Sequence, residues 1–189
     1  MDDKLTALLT EVYKNIGFLE GFVMYVPNKE AFAGAMLLKE CTYSYMIDYV
    51  GPDFKEVLTI SGIGKGDIMP TTNLEMAFKA AKSREVAVPD LSRICGIALN
   101  GESENNPIDV RDRQTFWLGA KTNLKGYTPT TPNVVLPALA DIFTYLYNDH
   151  NTDSLIKTAL VHYQFEMIRS FERYNVLSSA VLSGESLYR

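Results

Sequence analysis

A loop near the C-terminus gathers side chains that could bind an anion. Residues 165–180, FEMIRSFERYNVLSSA, follow a segment of helical spacing and contain Arg169, Arg173 and Asn175. Guanidinium groups form charge-assisted hydrogen bonds with phosphate oxygens, so the arginine pair could hold a phosphate-bearing ligand. Alternatively, both arginines are solvated or paired with a neighbouring glutamate. The residue types alone leave three interpretations open: a working site, the remnant of one, or a structural loop.

Two other features offer weaker candidates for chemistry. GIGKG at residues 62–66 lacks the Gly-x4-Gly-Lys-Ser/Thr spacing of a phosphate loop and follows no predicted strand, so it is interpreted as a flexible turn. His162 stands at an interior-looking position of a helical pattern, next to Tyr163, and is expected to be a packed or partly solvated histidine rather than a catalytic one. His150 follows Asn148 and Asp149 and is expected to be solvated.

The two cysteines, Cys41 and Cys95, lie in the apolar contexts LLKECTYSY and LSRICGIAL. Neither has a second cysteine or a histidine at the spacing of a metal site. We therefore expect both to be small buried hydrophobic residues, and we expect no metal site.

Charge and hydropathy narrow the class of protein. The 189-residue chain has a net charge of -5, whereas binders of nucleic acid or anionic membranes need clustered positive charge. No apolar run reaches the ~20 residues of a membrane span. The N-terminal MDDKLTALLTEVY lacks the basic region and apolar core of a signal peptide. We expect a cytoplasmic protein that binds neither nucleic acid nor membrane.

The hydrophobic spacing predicts an all-α, mostly helical protein. The predicted helices cover residues 2–25, 28–50, 53–60, 70–85, 88–101, 138–149, 154–168 and 175–189. Residues 102–137 are rich in loops, with a short hairpin around 114–118. Asn28 is the expected cap of the second helix, one of residues 71–73 that of the fourth, and Asp90 that of the fifth, which should end near Gly101.

Three stretches together resemble the Fic (Fic/DOC) family, whose active members transfer AMP from ATP to a hydroxyl of a target protein. LIKTALVHYQFEMIRSF at 155–171 is similar to the helix that leads into the family's active loop. Residues 111–149 are similar to the preceding segment, which contains an arginine turn, a flap and a proline-rich crossing. LLKECTYSYMIDYVGPDFKEVL at 37–58 is similar to the N-terminal inhibitory helix. The resemblance implies a Fic-like helical bundle with a β-hairpin flap.

The family's active loop, His-x-Phe-x-Asp/Glu-Gly-Asn-Gly-Arg-x-x-Arg, falls on residues 169–180. Phe171 and Asn175 match it. Arg169 replaces the histidine, and a guanidinium that stays protonated cannot act as a general base. Arg173 replaces the acidic residue that binds Mg²⁺, although hard cations need oxygen ligands.

The remaining positions of the loop also depart from the family pattern. Tyr174 and Val176 replace the glycines that let the backbone approach phosphates. Leu177 replaces the phosphate-binding arginine, and Ala180 replaces the arginine that pairs with the inhibitory glutamate. The resemblance therefore implies no catalytic residue and no metal ligand, and ATP and Mg²⁺ would bind only if this loop were unexpectedly functional.

The inhibitory motif and the flap are also recognisable. In the family's Ser-x-x-x-Glu-Gly/Asn motif, Ser44 is retained, Asp48 is one methylene shorter than glutamate, and Tyr49 replaces the small residue. The flap corresponds to Phe116, Trp117 and Gly119, in which the two aromatic residues would serve as apolar anchors or as core. We divide the chain into an N-terminal helical region, 1–87, and a truncated Fic-like core, 88–189.

These comparisons favour a pseudoenzyme that acts as a binding or regulatory module with a protein partner. One alternative is an adenylyltransferase-like enzyme with altered nucleotide or phosphate binding through Arg169, Arg173 and Asn175. A second alternative is an antitoxin-like partner that supplies an inhibitory helix to an active Fic protein. The altered residues at 48 and 49 argue against that second alternative.

Overall fold

The chain is mostly helical, as its spacing predicts. The computed structural model describes residues 2–48, 51–63, 69–82, 86–101, 107–118, 125–172 and 175–188. Within these ranges the elements are α1 (Asp3–Val23), α2 (Lys29–Asp48), α3 (Phe54–Ile63), α4 (Met69–Lys82), α5 (Val88–Asn100), β1 (Trp117–Leu118), β2 (Lys125–Tyr127), α6 (Pro132–Asn148), α7 (Ser154–Ile168) and α8 (Asn175–Tyr188).

Polar side chains cap α2 and α3, the first of them at the predicted place. Asn28 accepts a hydrogen bond at Oδ1 from the backbone N–H of Ala31, 2.9 Å away, as expected for a cap. The sequence analysis missed a reciprocal capping box at α3. There, Asp53 Oδ1 accepts from Glu56 N and Glu56 Oε2 accepts from Asp53 N, each at 2.9 Å.

Two predicted caps were wrong. Helix α4 already begins at Met69, so residues 71–73 lie inside it, because Pro70 has the fixed φ that suits a first helical turn. Asp90 is the third residue of α5, and its carboxylate accepts from the N–H of Ala87 at 3.2 Å. The end of α5 is confirmed, since Gly101 follows it with φ 80 and donates to Ile97 O.

The chain forms two compact units, residues 1–37 and 38–189. In the first, α1 has no buried residue, and Phe22 meets Phe32 edge to face with ring centroids 6.2 Å apart. The boundary at residue 87, which rests on the family resemblance, stays a prediction.

The core of the second unit lies where α4, α5, α7 and α8 pack together. Its largest fully buried side chains include Leu74, Leu91, Phe165, Phe171 and Leu182. The buried residues of α7 recur at helical spacing, so one face of that helix turns to the core.

A short hairpin is present as predicted, but its second strand lies beyond the predicted residues 114–118. Strands β1 and β2 are antiparallel, with Trp117 opposite Tyr127 and an irregular register next to it. Residues 119–124, which join the strands, lie outside the described ranges. In the ranges that are described, every helix is too short or too polar to cross a bilayer.

Candidate functional site

The candidate loop begins where α7 ends in a left-handed turn. Arg169 follows the helix with φ 47, a conformation that disfavours residues with a Cβ, and its N–H donates to Phe165 O at 3.1 Å. This turn reverses the chain and directs Ser170 and Phe171 into the interior, where both are buried.

Arg111, only 3% exposed, holds this turn in place. Its Nε donates to Arg169 O at 2.6 Å, and one terminal nitrogen donates to Ile168 O at 3.1 Å. The same nitrogen donates to Thr130 O, and the other donates to Arg113 O at 2.9 Å. A cation is favourable at a helix C-terminus, where the carbonyl oxygens lack intrahelical partners.

The backbone of Arg111 adds a further tie, because its N–H donates to Ser170 O at 3.0 Å. Burial lowers the pKa of its guanidinium from the ordinary value, and the charge of Arg169 acts in the same direction. The sequence analysis noted an arginine-containing turn here but gave Arg111 no role. Apart from Arg113, its partners are 19 to 59 residues away along the chain, so no local spacing could reveal them.

The β-hairpin is fastened to the same helix end. The hydroxyl of Tyr127, in β2, donates to Met167 O at 2.6 Å. Beside it, the amide nitrogen of Gln114 donates to Pro129 O at 2.9 Å and to Thr115 O at 3.2 Å. The hairpin, the crossing that follows it and the last turn of α7 are therefore linked by hydrogen bonds.

Asn175 closes the loop from the other side. Its amide nitrogen donates to Phe171 O at 2.7 Å, and its Oδ1 accepts from Phe171 N at 3.0 Å. Asn175 and Phe171 are each 1% exposed. The two residues that match the family motif thus bind each other and maintain the loop.

The first turns of α8 face the core. Leu177 is 2% exposed, and the hydroxyl of Ser178 lies 2.8 Å from the sulfur of Cys95. Burial raises the pKa of the Cys95 thiol to about 12, so this sulfur is neutral and unreactive at physiological pH. Cys41 is likewise buried, and the prediction for both cysteines is confirmed.

Glu166 connects α7 to α8 and to Arg169. One carboxylate oxygen accepts a hydrogen bond from Ser179, and the other lies 3.9 Å from an Arg169 nitrogen. This is the glutamate pairing that the sequence left open for Arg169. Arg173 and Tyr174 lie outside the described residues.

Ser170 is fully buried, and its hydroxyl has no hydrogen-bond partner among the described residues. A buried polar group without a partner costs about 1–3 kcal/mol, so Ser170→Ala is expected to raise the free energy of unfolding by about 1 kcal/mol. Ser183→Ala is the matched control, because that hydroxyl is hydrogen-bonded. Urea denaturation measures both, and a larger loss for Ser170→Ala than for Ser183→Ala would contradict the expectation.

His162 is exposed, so the packed position was wrong, and the alternative of a solvated histidine agrees with the structure. The buried stripe of α7 consists of Thr158, Val161, Phe165 and Ile168, and residue 162 falls beside it. His162 Nδ1 lies 2.9 Å from the Ser183 hydroxyl, which donates to Ser179 O. This contact links α7 to α8 beside the buried stripe. His150 is exposed, as expected.

Two clefts flank the loop. One, of about 580 Å³, lies between α2, α4, α7 and α8 and is lined by residues that include Glu40, Phe78 and Ala180. The other, of about 550 Å³, is lined by residues that include Ile108, Asp112 and Glu172. In the part of the chain that the structure describes, no three His, Cys, Asp or Glu side chains cluster as metal ligands.

A solved structure of another protein has a similar arrangement of helices. The chain is similar to a Fic family protein from Desulfovibrio desulfuricans G20, with a TM-score of 0.73 and 16% sequence identity over 99% of this chain. The chain has a Fic-like fold. It spans 58% of the length of that protein. No family model matches the sequence, and no curated protein matches it.

The structure describes some of the residues that the family resemblance assigns to an inhibitory motif and a flap. Ser44 of α2 is 4% exposed and lies 2.9 Å from Glu40 Oε1, within the same helix. Helix α2 ends at Asp48. The side chain of Asp48 and the whole of Tyr49 lie outside the described part of the structure. In the flap, Phe116 is 53% exposed. The Trp117 side chain and Gly119 lie outside the described part.

Proposed function

We propose that this chain is a Fic-like protein that does not transfer AMP and that acts as a binding or regulatory module. The observation that carries the proposal is the position of Leu177. This residue stands where the family resemblance implies a phosphate-binding arginine, yet its side chain is apolar and only 2% exposed. Hydrogen bonds between Asn175 and Phe171 nevertheless hold the described part of the loop around it, which supports a preserved scaffold without the reacting groups.

The residues of the loop do not fit ATP and Mg²⁺. Leu177 offers no donor to a phosphate, and Ser178 is occupied with the sulfur of Cys95. Ala180 has only a methyl group where the family has a second arginine. Since phosphate binding depends on charge-assisted hydrogen bonds, this surface lacks the main source of affinity for a nucleotide.

The residue at the position of the family's general base, Arg169, cannot accept a proton. Arg169 lies near the Glu166 carboxylate, 3.9 Å away, and it is held in a left-handed turn by its backbone. A guanidinium stays protonated at neutral pH and has no lone pair to accept a proton. Arg169 therefore cannot remove a proton from the hydroxyl of a target.

The structure weakens the case for an enzyme with altered phosphate binding. That alternative relied on Arg169, Arg173 and Asn175. Asn175 is buried and uses both ends of its amide on Phe171. Arg169 is near a carboxylate that offsets its charge. Only Arg173, outside the described residues, is left as a candidate.

The antitoxin-like alternative is weakened by the burial of Ser44, the retained residue of the inhibitory motif. Its side chain is buried inside this chain and bonded to Glu40. A helix donated to another protein would need this face to be free. We therefore prefer a module that binds through its exposed surface.

The flap is the surface that we assign to a protein partner. Phe116 exposes about half of its ring next to β1, and a two-stranded sheet leaves outer strand edges that can pair with an extended peptide. Tyr127 and Arg111 fasten the hairpin to α7, so a partner would meet a surface already held in shape.

The proposal predicts that the chain neither labels itself nor a target when it is incubated with radioactive ATP and Mg²⁺. Arg169→His alone should also give no labelling, because the metal ligand and the phosphate arginine are still absent. Arg169→Lys is the matched control, because it also removes the guanidinium but keeps a positive charge and supplies no imidazole. Autoradiography after electrophoresis is the measurement.

Calorimetric titration with ATP, ADP and AMP completes this test. We expect no binding heat from any of the three nucleotides. Label transfer by the unmodified chain, recovery of transfer by Arg169→His, or a micromolar nucleotide affinity would each overturn the proposal.

A further inference from the structure

Helix α1 has an apolar seam that repeats every seven residues. Its members are separated by four and three residues in alternation and comprise Leu5, Leu9, Val12, Ile16, Leu19 and Val23. In heptad notation, 9, 16 and 23 occupy the a positions, and 5, 12 and 19 the d positions. A strict seven-residue repeat keeps one stripe facing a second helix along a left-handed coiled coil.

The seam is exposed, although its residues are apolar. Val12 is 42% exposed, Leu19 is 53% exposed, and no residue of α1 is buried. Most helical stability in proteins comes from packing an apolar face against a partner. Gly17 and Gly21 weaken the helix further, since each glycine disfavours a helix relative to alanine. The sequence of α1 therefore points to a helix that packs against another.

We propose that the seam of α1 pairs in parallel with the same seam of a second copy of this chain. The choice of residues favours this arrangement. β-Branched residues at a with leucine at d favour parallel two-stranded coils. Two of the three a positions, Ile16 and Val23, are β-branched, and two of the three d positions, Leu5 and Leu19, are leucine. Leu9 at a and Val12 at d depart from this pattern.

The residues beside the seam are self-complementary. In a parallel pair, a g residue faces the e residue five positions later in the other copy. Leu8 then faces Tyr13 of the second copy, and Asn15 faces Glu20 of the second copy. The first pair places a leucine side chain against a tyrosine ring. The second places the amide N–H groups of Asn15 near the carboxylate of Glu20. Neither pair brings like charges together.

The other charged residues of α1 lie away from the seam. Asp3, Lys4, Glu11 and Lys14 occupy b, c or f positions, on the side that faces water in a coiled coil. A second copy presents the same apolar stripe and the same neutral flanks, so two identical surfaces form a closed two-fold interface. This self-complementarity is the reason for choosing a second copy as the occupant.

Light scattering coupled to size exclusion tests the pairing on the full chain over a range of concentrations. We expect the unmodified chain to reach twice the mass of one chain at high concentration. Ile16→Lys should keep it monomeric, because two ammonium groups would meet in the seam. Thr10→Lys places the same side chain on the outer face and should still dimerise. Both substitutions fall in a helix without buried residues, so circular dichroism should show an intact fold.

Disulfide trapping tests the orientation. Leu9→Cys places the new thiols side by side in a parallel pair, whereas an antiparallel pair would separate them by about 15 Å. We expect an oxidised dimer for Leu9→Cys and none for Thr10→Cys, and the native cysteines are buried. A monomer at every concentration, a dimer that survives Ile16→Lys, or a dimer in which Leu9→Cys does not cross-link would each overturn the proposal.

Discussion

Arg111→Ala is expected to lower the free energy of unfolding by about 3–5 kcal/mol, because it leaves several buried carbonyl oxygens without donors. Those oxygens belong to Ile168, Arg169 and Thr130, which the guanidinium joins into one structure. Urea denaturation followed by circular dichroism measures the change. A variant as stable as the unmodified chain would show that the arginine does not hold the turn.

Two comparison variants separate this effect from a general loss of charge. Arg113→Ala removes an arginine whose side chain is 81% exposed, and it should change stability by less than ~0.5 kcal/mol. Arg111→Lys keeps the charge but replaces a planar fork by a single ammonium, so it should recover only part of the loss. Equal effects of Arg111→Ala and Arg113→Ala would contradict the role assigned to the buried guanidinium.

Asn175→Ala is expected to lower the free energy of unfolding by about 2–4 kcal/mol, because the N–H and the C=O of Phe171 would both lose a buried partner. The hydrogen bonds are 3.0 and 2.7 Å long, and both residues are buried. The same denaturation assay reports the change.

Asn151→Ala is the control for Asn175→Ala, since Asn151 is exposed in the loop before α7. It should leave stability within ~0.5 kcal/mol of the unmodified chain. If Asn175→Ala behaves like this control, the loop does not depend on the asparagine, and the match to the family motif would need another explanation.

The spacing of apolar residues predicted most of the helices because that signal is local. The predicted limits of α7, 154–168, agree with the structure, and α2 begins after the predicted cap Asn28. The start of α4 was missed because Pro70, which suits a first helical turn, was not weighed as a helix-start signal. His162 was misplaced because a single residue beside an apolar stripe can fall on either side of its edge.

For the candidate site, the sequence predicted the residues that match the family motif but not the contacts that they make. Phe171 and Asn175 were found because the motif keeps them at fixed spacing, but their mutual hydrogen bonds were not foreseen. Arg111 was given no role because its carbonyl partners come together only when the chain folds. The orphaned hydroxyl of Ser170 was equally invisible, since it is defined by the neighbours that the residue lacks.

The hydrogen bonds of Arg111 and Tyr127 have a consequence for local opening. Both side chains bond to the last carbonyls of α7, at Met167, Ile168 and Arg169. If the hairpin and the segment that carries Arg111 lift together, these oxygens lose all of these donors, so the hairpin, Arg111 and the turn would open as one cooperative segment. Amide protons on the two sides would then exchange with water at a common rate. Contact with the hairpin would slow that exchange at the turn as well.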